Sequence, residues 1–296
     1  MLYGVSTRAS VLAAFFVLFY FSLDIEGQAV TSYRDVSEHQ LSGVEKKTIK
    51  PDQTAEAPPD ANLTPESTIF TSNNAVELNN LGVKYVSAEL FSEAVLAFQR
   101  ALQIDPGQAT IYHNLSVAYD RMERFDDALD AVKKAVTLGP GNRSSVFHLC
   151  QMQLYTKHYR ETIGCFETLR GLTPLDEYSL YANGIALMNI DDLGKAYKAF
   201  EEAATLAPNY VPAICGIGTV HYLKKRYKES AAAFRRALEL EPDNQTLRYN
   251  LAVAELGNKN KTAAVSEYSF LKQSNPELAQ KLYKFLFADK VVFVKK

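Results

Sequence analysis

Apolar and small residues in this chain fall into two alternating helical stripes, and the whole pattern repeats every 34 residues from residue 75 to residue 278. Six units result: 75–108, 109–142, 143–176, 177–210, 211–244 and 245–278. Position 7 of the unit is apolar in five of them (Leu81, Leu115, Leu149, Ile217, Leu251) and is Asn183 in the fourth. Position 8 is small throughout: Gly82, Ser116, Cys150, Gly184, Gly218, Ala252. Position 20 is small again (Ala94, Ala128, Thr162, Ala196, Ser230, Ala264), and position 24 is bulky (Phe98, Val132, Phe166, Phe200, Phe234, Tyr268). Positions 7, 8 and 11 share one face of a first helix, while 20, 24 and 27 share one face of a second. Small residues at 8 and 20 let the two helices cross at close range.

Position 32 is proline in every unit: Pro106, Pro140, Pro174, Pro208, Pro242 and Pro276. Proline lacks an N–H and clashes with the preceding turn, so it ends the second helix. Asp105-Pro106-Gly107, Gly139-Pro140-Gly141 and Pro242-Asp243-Asn244 supply turn and N-cap chemistry at the joint. Ser72 or Asn73 is expected to cap the first repeat helix. Each hairpin leaves an apolar flank that only its neighbour can cover, so stability is a sum over interfaces. The fold expected is all-α: a right-handed α-solenoid of six helix-turn-helix repeats.

These residues resemble the tetratricopeptide repeat (TPR) family, which has this period and an aromatic-Leu-Gly-Tyr, Ala-Phe and Pro pattern. Leu81-Gly82, Tyr85, Ala94, Phe98, Ala101 and Pro106 carry the match in the first unit. Leu115, Tyr119, Ala128, Ala135 and Pro140 carry it in the second. The third unit departs most (Cys150, Gln153, Thr162, Leu169), and the sixth drifts at Glu255, Lys261 and Leu271.

The ends of the chain read differently. Residues 1–29 have the form of an export signal, with Arg8, an apolar run over 11–23 and Gly27-Gln28-Ala29 as the cleavage region. The run is shorter than the roughly 20 residues a spanning helix needs. The alternative is an uncleaved N-terminal membrane anchor. No cysteine lies near the run, which excludes a bacterial lipobox. Residues 30–74 read as a flexible linker, rich in proline and charge, about 35–40 Å end to end. Past the last repeat, Leu278, Leu282, Phe285 and Leu286 form an apolar stripe opposite Gln280, Lys281 and Lys284, which predicts a capping helix before a tail to residue 296. The tail carries the apolar run Val291-Val292-Phe293-Val294.

Charge and cysteine content narrow the function. With 32 basic and 34 acidic residues the net charge is −2, so no global field favours nucleic acid. Three cysteines leave at least one unpaired; Cys150 reads most simply as a buried thiol, and a bond to Cys165 is the less favoured alternative. No nucleotide-binding glycine loop occurs, and Gly216-Ile217-Gly218 reads as interhelical packing. Asp126-Asp127 and Asp191-Asp192 read as solvated helix caps. His113 and His148 lack a third metal ligand. The chain is expected to be no enzyme and to use no metal or cofactor.

The resemblance implies that positions 2, 5, 6, 9, 12 and 13 of the first helices line a concave groove. Asp120 and Arg121 alone are charged there. The candidate peptide-binding residues are Asn79, Asn80, His113, Asn114, Phe147, His148, Tyr155, Tyr178, Tyr181, Tyr222, Tyr249 and Asn250, with Tyr178 and Tyr181 foremost. Tyrosines offer wide contact area at small entropy cost, and asparagines both donate to and accept from an extended main chain. The asparagines at position 6 look like part of the ladder in TPR-bearing sugar transferases, interrupted at His148, Ala182 and Gly216. The groove does not resemble the carboxylate grip of chaperone-tail domains, because Asn79, Val83, Asn114, Ser144 and His148 include no cation. The expected partner is a protein or peptide ligand, mostly uncharged and partly apolar, with no nucleic acid and no membrane unless the N-terminus stays uncleaved. The function expected is an exported scaffold for envelope assembly. The alternatives are an accessory subunit of a transferase on another chain and a membrane-anchored self-assembling scaffold.

Overall fold

The computed structural model describes residues 21–23, 29–31 and 72–287. Phe21–Leu23 (β1) and Ala29–Thr31 (β2) pair antiparallel, Phe21 opposite Thr31. The rest of the expected signal and linker, and the tail from residue 288, lie outside the described residues.

The helices fall in two compact units. The N-terminal unit holds α1 (Ala75–Ser87), α2 (Phe91–Ile104), α3 (Ala109–Arg121), α4 (Phe125–Leu138), α5 (Arg143–Tyr155) and α6 (Tyr159–Leu172). The C-terminal unit holds α7 (Glu177–Asn189), α8 (Leu193–Leu206), α9 (Val211–Leu223), α10 (Tyr227–Leu240), α11 (Gln245–Gly257), α12 (Lys261–Ser274) and α13 (Pro276–Leu286). Each unit is thus three antiparallel hairpins stacked side by side, the architecture of an all-α solenoid, with α13 added to the second.

Why each hairpin closes is visible in its contacts. The position-24 rings of Phe98, Phe166, Phe200 and Phe234 are fully buried. A Cβ added to Gly82 would stand 2.4 Å from the Phe98 ring, so only a bare backbone admits that ring. Asn74, Asn142, Asp176 and Asn244 cap α1, α5, α7 and α11 with their side chains. The first helix is therefore capped by Asn74, not by Ser72 or Asn73; Ser72 instead accepts from the Asn74 N–H at 3.1 Å.

A second column emerges at the turn inside each hairpin. Glu89, Glu123, Lys157, Asp191, Lys225 and Lys259, 34 residues apart, all have φ between 58° and 64°. This left-handed residue ends each first helix, and the next N–H reaches back to close it: Leu90 to Tyr85 at 2.9 Å, Arg124 to Tyr119 at 3.0 Å, Arg226 to His221 at 2.8 Å.

In the C-terminal unit α13 buries Leu278, Leu282 and Leu286 against α11 and α12. Lys284 stays exposed, and Lys281 pairs with Glu277 at 2.8 Å.

The cysteine expectation is overturned. Cys150 and Cys165 form a disulfide across α5 and α6, with Cα atoms 5.4 Å apart. Position 8 of the first helix and position 23 of the second face each other across the hairpin crossing, which brings the sulfurs within bonding reach. Cys215 is the free thiol, and burial pushes it up to about 12.

Candidate functional site

Within the N-terminal unit the first helices α1, α3 and α5 carry the expected groove residues at positions 5 and 6. These meet across hairpins in a regular way. Asn114 Nδ2 (position 6) donates to Asn79 Oδ1 (position 5 of the preceding hairpin) at 2.9 Å, both side chains buried. One hairpin on, His148 (position 6) meets His113 (position 5) edge to face at 5.9 Å. His113 Nδ1 also lies 3.2 Å from the Ser145 hydroxyl. Burial lowers His148 to about 4; hydrogen bonding with the Ser116 main chain and the Gln151 side chain opposes that shift but does not reverse it. Asn80, Phe147 and Tyr155 are half-buried. Tyr155 stacks on Phe125 at 5.2 Å, so one of its faces is already taken.

Within the C-terminal unit α7, α9 and α11 place Tyr178, Tyr181, Tyr222, Tyr249 and Asn250. Tyr178 and Tyr181, expected foremost among the contacts, are instead packed inside, at 7% and 4% exposure. Tyr181 sits between Phe200 at 5.7 Å and Tyr210 at 5.9 Å, and burial first, then Tyr210, Cys215 and Tyr178, raises its hydroxyl well above the usual tyrosine value. Tyr249 and Asn250 are buried as well. Tyr222 stays half-buried, its ring edge-on to Tyr227 at 5.2 Å, and burial raises its hydroxyl too. The segment Glu177–Asn189 carries one charge, at its first residue, and almost no polar face. A helix apolar on all sides is a buried helix, and that sequence signal was available for Tyr178 and Tyr181.

A different signal runs through position 6. Asn80 Oδ1, Asn114 Oδ1 and both amide atoms of Asn250 are buried with no hydrogen-bond partner among the described residues. Each asparagine of that column therefore keeps bonding capacity that the described residues do not use, whereas His148 is engaged by the Ser116 main chain and the Gln151 side chain. No group of three or more histidine, cysteine or acidic residues fit to hold a metal occurs among the described residues. No helix among them is long and apolar enough to cross a membrane.

Comparison with known proteins agrees with this architecture. The tetratricopeptide repeat model matches residues 79–143 and 216–276. The stretch between the two matches holds most of the third and fourth hairpins, where Cys150, Gln153, Thr162 and Asn183 depart from the pattern, yet both hairpins form. The protein O-mannosyl-transferase TMTC1 of Mus musculus is 29% identical over 100 residues, 32% of this chain and 11% of that protein. Superkiller complex protein 3 of Mus musculus is 31% identical over 94 residues, 30% of this chain and 6% of that protein. The chain thus spans about a tenth or less of these curated relatives. Among solved structures, MamA 41-end from Desulfovibrio magneticus RS-1 aligns with a TM-score of 0.54 at 19% identity, over 57% of this chain and 95% of that one. YrrB, described as a TPR protein with an unusual peptide-binding site, aligns with a TM-score of 0.54 at 19% identity, over 64% and 98%. At such identities the structures speak for the fold.

Proposed function

Because this chain belongs to the tetratricopeptide repeat family and is a protein-interaction scaffold, we propose that it is exported, non-catalytic, and holds an extended peptide segment of a partner along its first helices. The observation that carries this reading is the asparagine set of the position-6 column, half-buried Asn80 with buried Asn114 and Asn250, each with an amide atom left over. A buried polar group without a partner costs about 1–3 kcal/mol. An extended main chain presents N–H and C=O groups in alternation, which an asparagine amide matches from both sides. Asp120 and Arg121 are the only charges at groove positions, which favours an uncharged, partly apolar guest. Export draws support from the Arg8, apolar-run and Gly27-Gln28-Ala29 pattern, and from the Cys150–Cys165 bond, since disulfides persist in oxidising compartments.

Panning a random peptide library on the full chain is expected to return uncharged, partly apolar sequences. Asn250→Leu removes two unpaired atoms at similar volume, so it should raise Tm while weakening the selected peptide at least tenfold. A library without binders, or binders indifferent to both Asn80→Leu and Asn250→Leu, would sink the reading. A second reading makes the array the substrate-holding arm of a transferase on another chain; its support is the 100-residue match to an O-mannosyl-transferase. Sugar transfer by this chain alone would overturn both.

A further inference from the structure

A cleft of about 430 Å³ opens within the C-terminal unit, between the α9–α10 turn and the α11–α12 turn. Its rim carries Lys225, Arg226 and Lys228 from one turn and Lys259 from the other, all four exposed. Glu229 is the one acid among the lining residues. Among the described residues none of the four cations enters an ion pair, unlike Arg235 with Glu255 and Arg248 with Glu267 in the same unit. The floor is the Tyr227 ring lying on Gly257, where an added Cβ would stand 2.4 Å from the ring. The chain presents this charge selectively. The same turn carries Glu89 and Glu93 in the first hairpin, Glu123, Asp126 and Asp127 against Arg124 in the second, and Asp191 and Asp192 in the fourth. The third, with Lys157 and Arg160, is basic too, but only the fifth and sixth hairpins place lysines from adjacent turns around one cleft. Helical hairpins need no cation there, so the turn itself does not explain the cluster.

We propose that this cleft is a second docking site, distinct from the first-helix faces, for an acidic peptide segment of a partner protein. Four like charges held together against the single Glu229 raise the local potential and attract an anionic guest. Lys225 and Lys259 occupy the same left-handed turn position in neighbouring hairpins, with φ of 58° and 61°. Both lysines line the one cleft, and an extended chain advances about 3.3 Å per residue. A single extended guest with several acidic residues a few positions apart can therefore meet both.

The test is fluorescence anisotropy of a dye-labelled peptide bearing glutamates three apart between glycines, titrated with the full chain. Binding is expected at low salt and should weaken steeply as salt rises. Lys225→Glu with Lys259→Glu should weaken it at least tenfold, whereas Lys225→Arg with Lys259→Arg should retain it. Glutamate already occupies this turn position at Glu89 and Glu123 with the same backbone, so charge reversal leaves the fold in place, which an unchanged helical circular dichroism spectrum checks. No binding, binding indifferent to charge reversal, or uptake of phosphatidylserine vesicles or an oligonucleotide in preference to the peptide would overturn the proposal. Asn80→Leu and Asn250→Leu should leave this binding unchanged, so its failure is distinguishable from that of the first-helix site.

Discussion

His148 shows what burial does to one side chain. It is enclosed between neighbouring first helices and held neutral, with its pKa lowered to about 4 from 6.5. A lowered value in the folded state means that the unfolded chain binds the proton first as pH falls. Stability is therefore whole above about pH 6.5, declines between 6.5 and 4, and levels off below, a loss of about 3 kcal/mol from this group. His148→Asn, the residue found at Asn80, Asn114 and Asn250 in the same column, should remove that slope. Urea midpoints at pH 7 and pH 4.5 for both proteins measure it, and an unchanged slope would place the titrating group elsewhere. The column itself was readable from spacing. Its pairing with position 5 of the hairpin before, as in Asn79 with Asn114, was not, because the two residues lie 35 apart and meet only when hairpins stack. The left-handed turn residues were equally hidden: none of the six is glycine, so composition carries no mark of them.

At the scale of elements, Phe200 illustrates how two hairpins lock. Its ring lies against Gly184 of its own hairpin and Gly216 of the next; added Cβ atoms would stand 2.5 Å and 2.6 Å from it. Gly184→Ala should lose about 1–2 kcal/mol net, after the roughly 1 kcal/mol gain in helix propensity. Gly218→Ala, where the Phe234 ring leaves 3.1 Å, should be close to neutral. Equilibrium urea unfolding of the two variants compares them directly, and equal losses would refute the close-approach account. The small residue at position 8 was legible in the sequence, as was the packing role of Gly216-Ile217-Gly218. The burial of Tyr178 and Tyr181 was missed because the family-derived groove positions were read as lining, although α7 has too little polar surface to stand open on any side.

At the scale of the whole molecule, helices stacked in sequence order within each of the two units make stability local, since each hairpin rests mainly on its neighbours in that unit. The Cys150–Cys165 bond closes a separation of 15 residues inside the third hairpin, which stabilises it by about 3 kcal/mol. Reduction should accordingly lower hydrogen-exchange protection in α5 and α6 while α11, α12 and α13 keep theirs. Exchange mass spectrometry on oxidised and reduced protein checks this; uniform loss would mean that the chain unfolds as one cooperative body.

Repeat length, helix boundaries, the small-against-bulky columns and the capping helix all follow from local rules: a 3.6-residue period, proline as a helix stop, and volume complementarity between positions close in the chain. Those terms act within one hairpin or between adjacent ones, so a linear reading captures them. Which tyrosines are covered, which cysteines join, which amide atoms stay unpaired and where lysines gather around a cleft depend on side chains 15 to 35 residues apart arriving at one place. Only the stacked helices bring them together, and the energy of each such meeting has no counterpart in the order of residues alone.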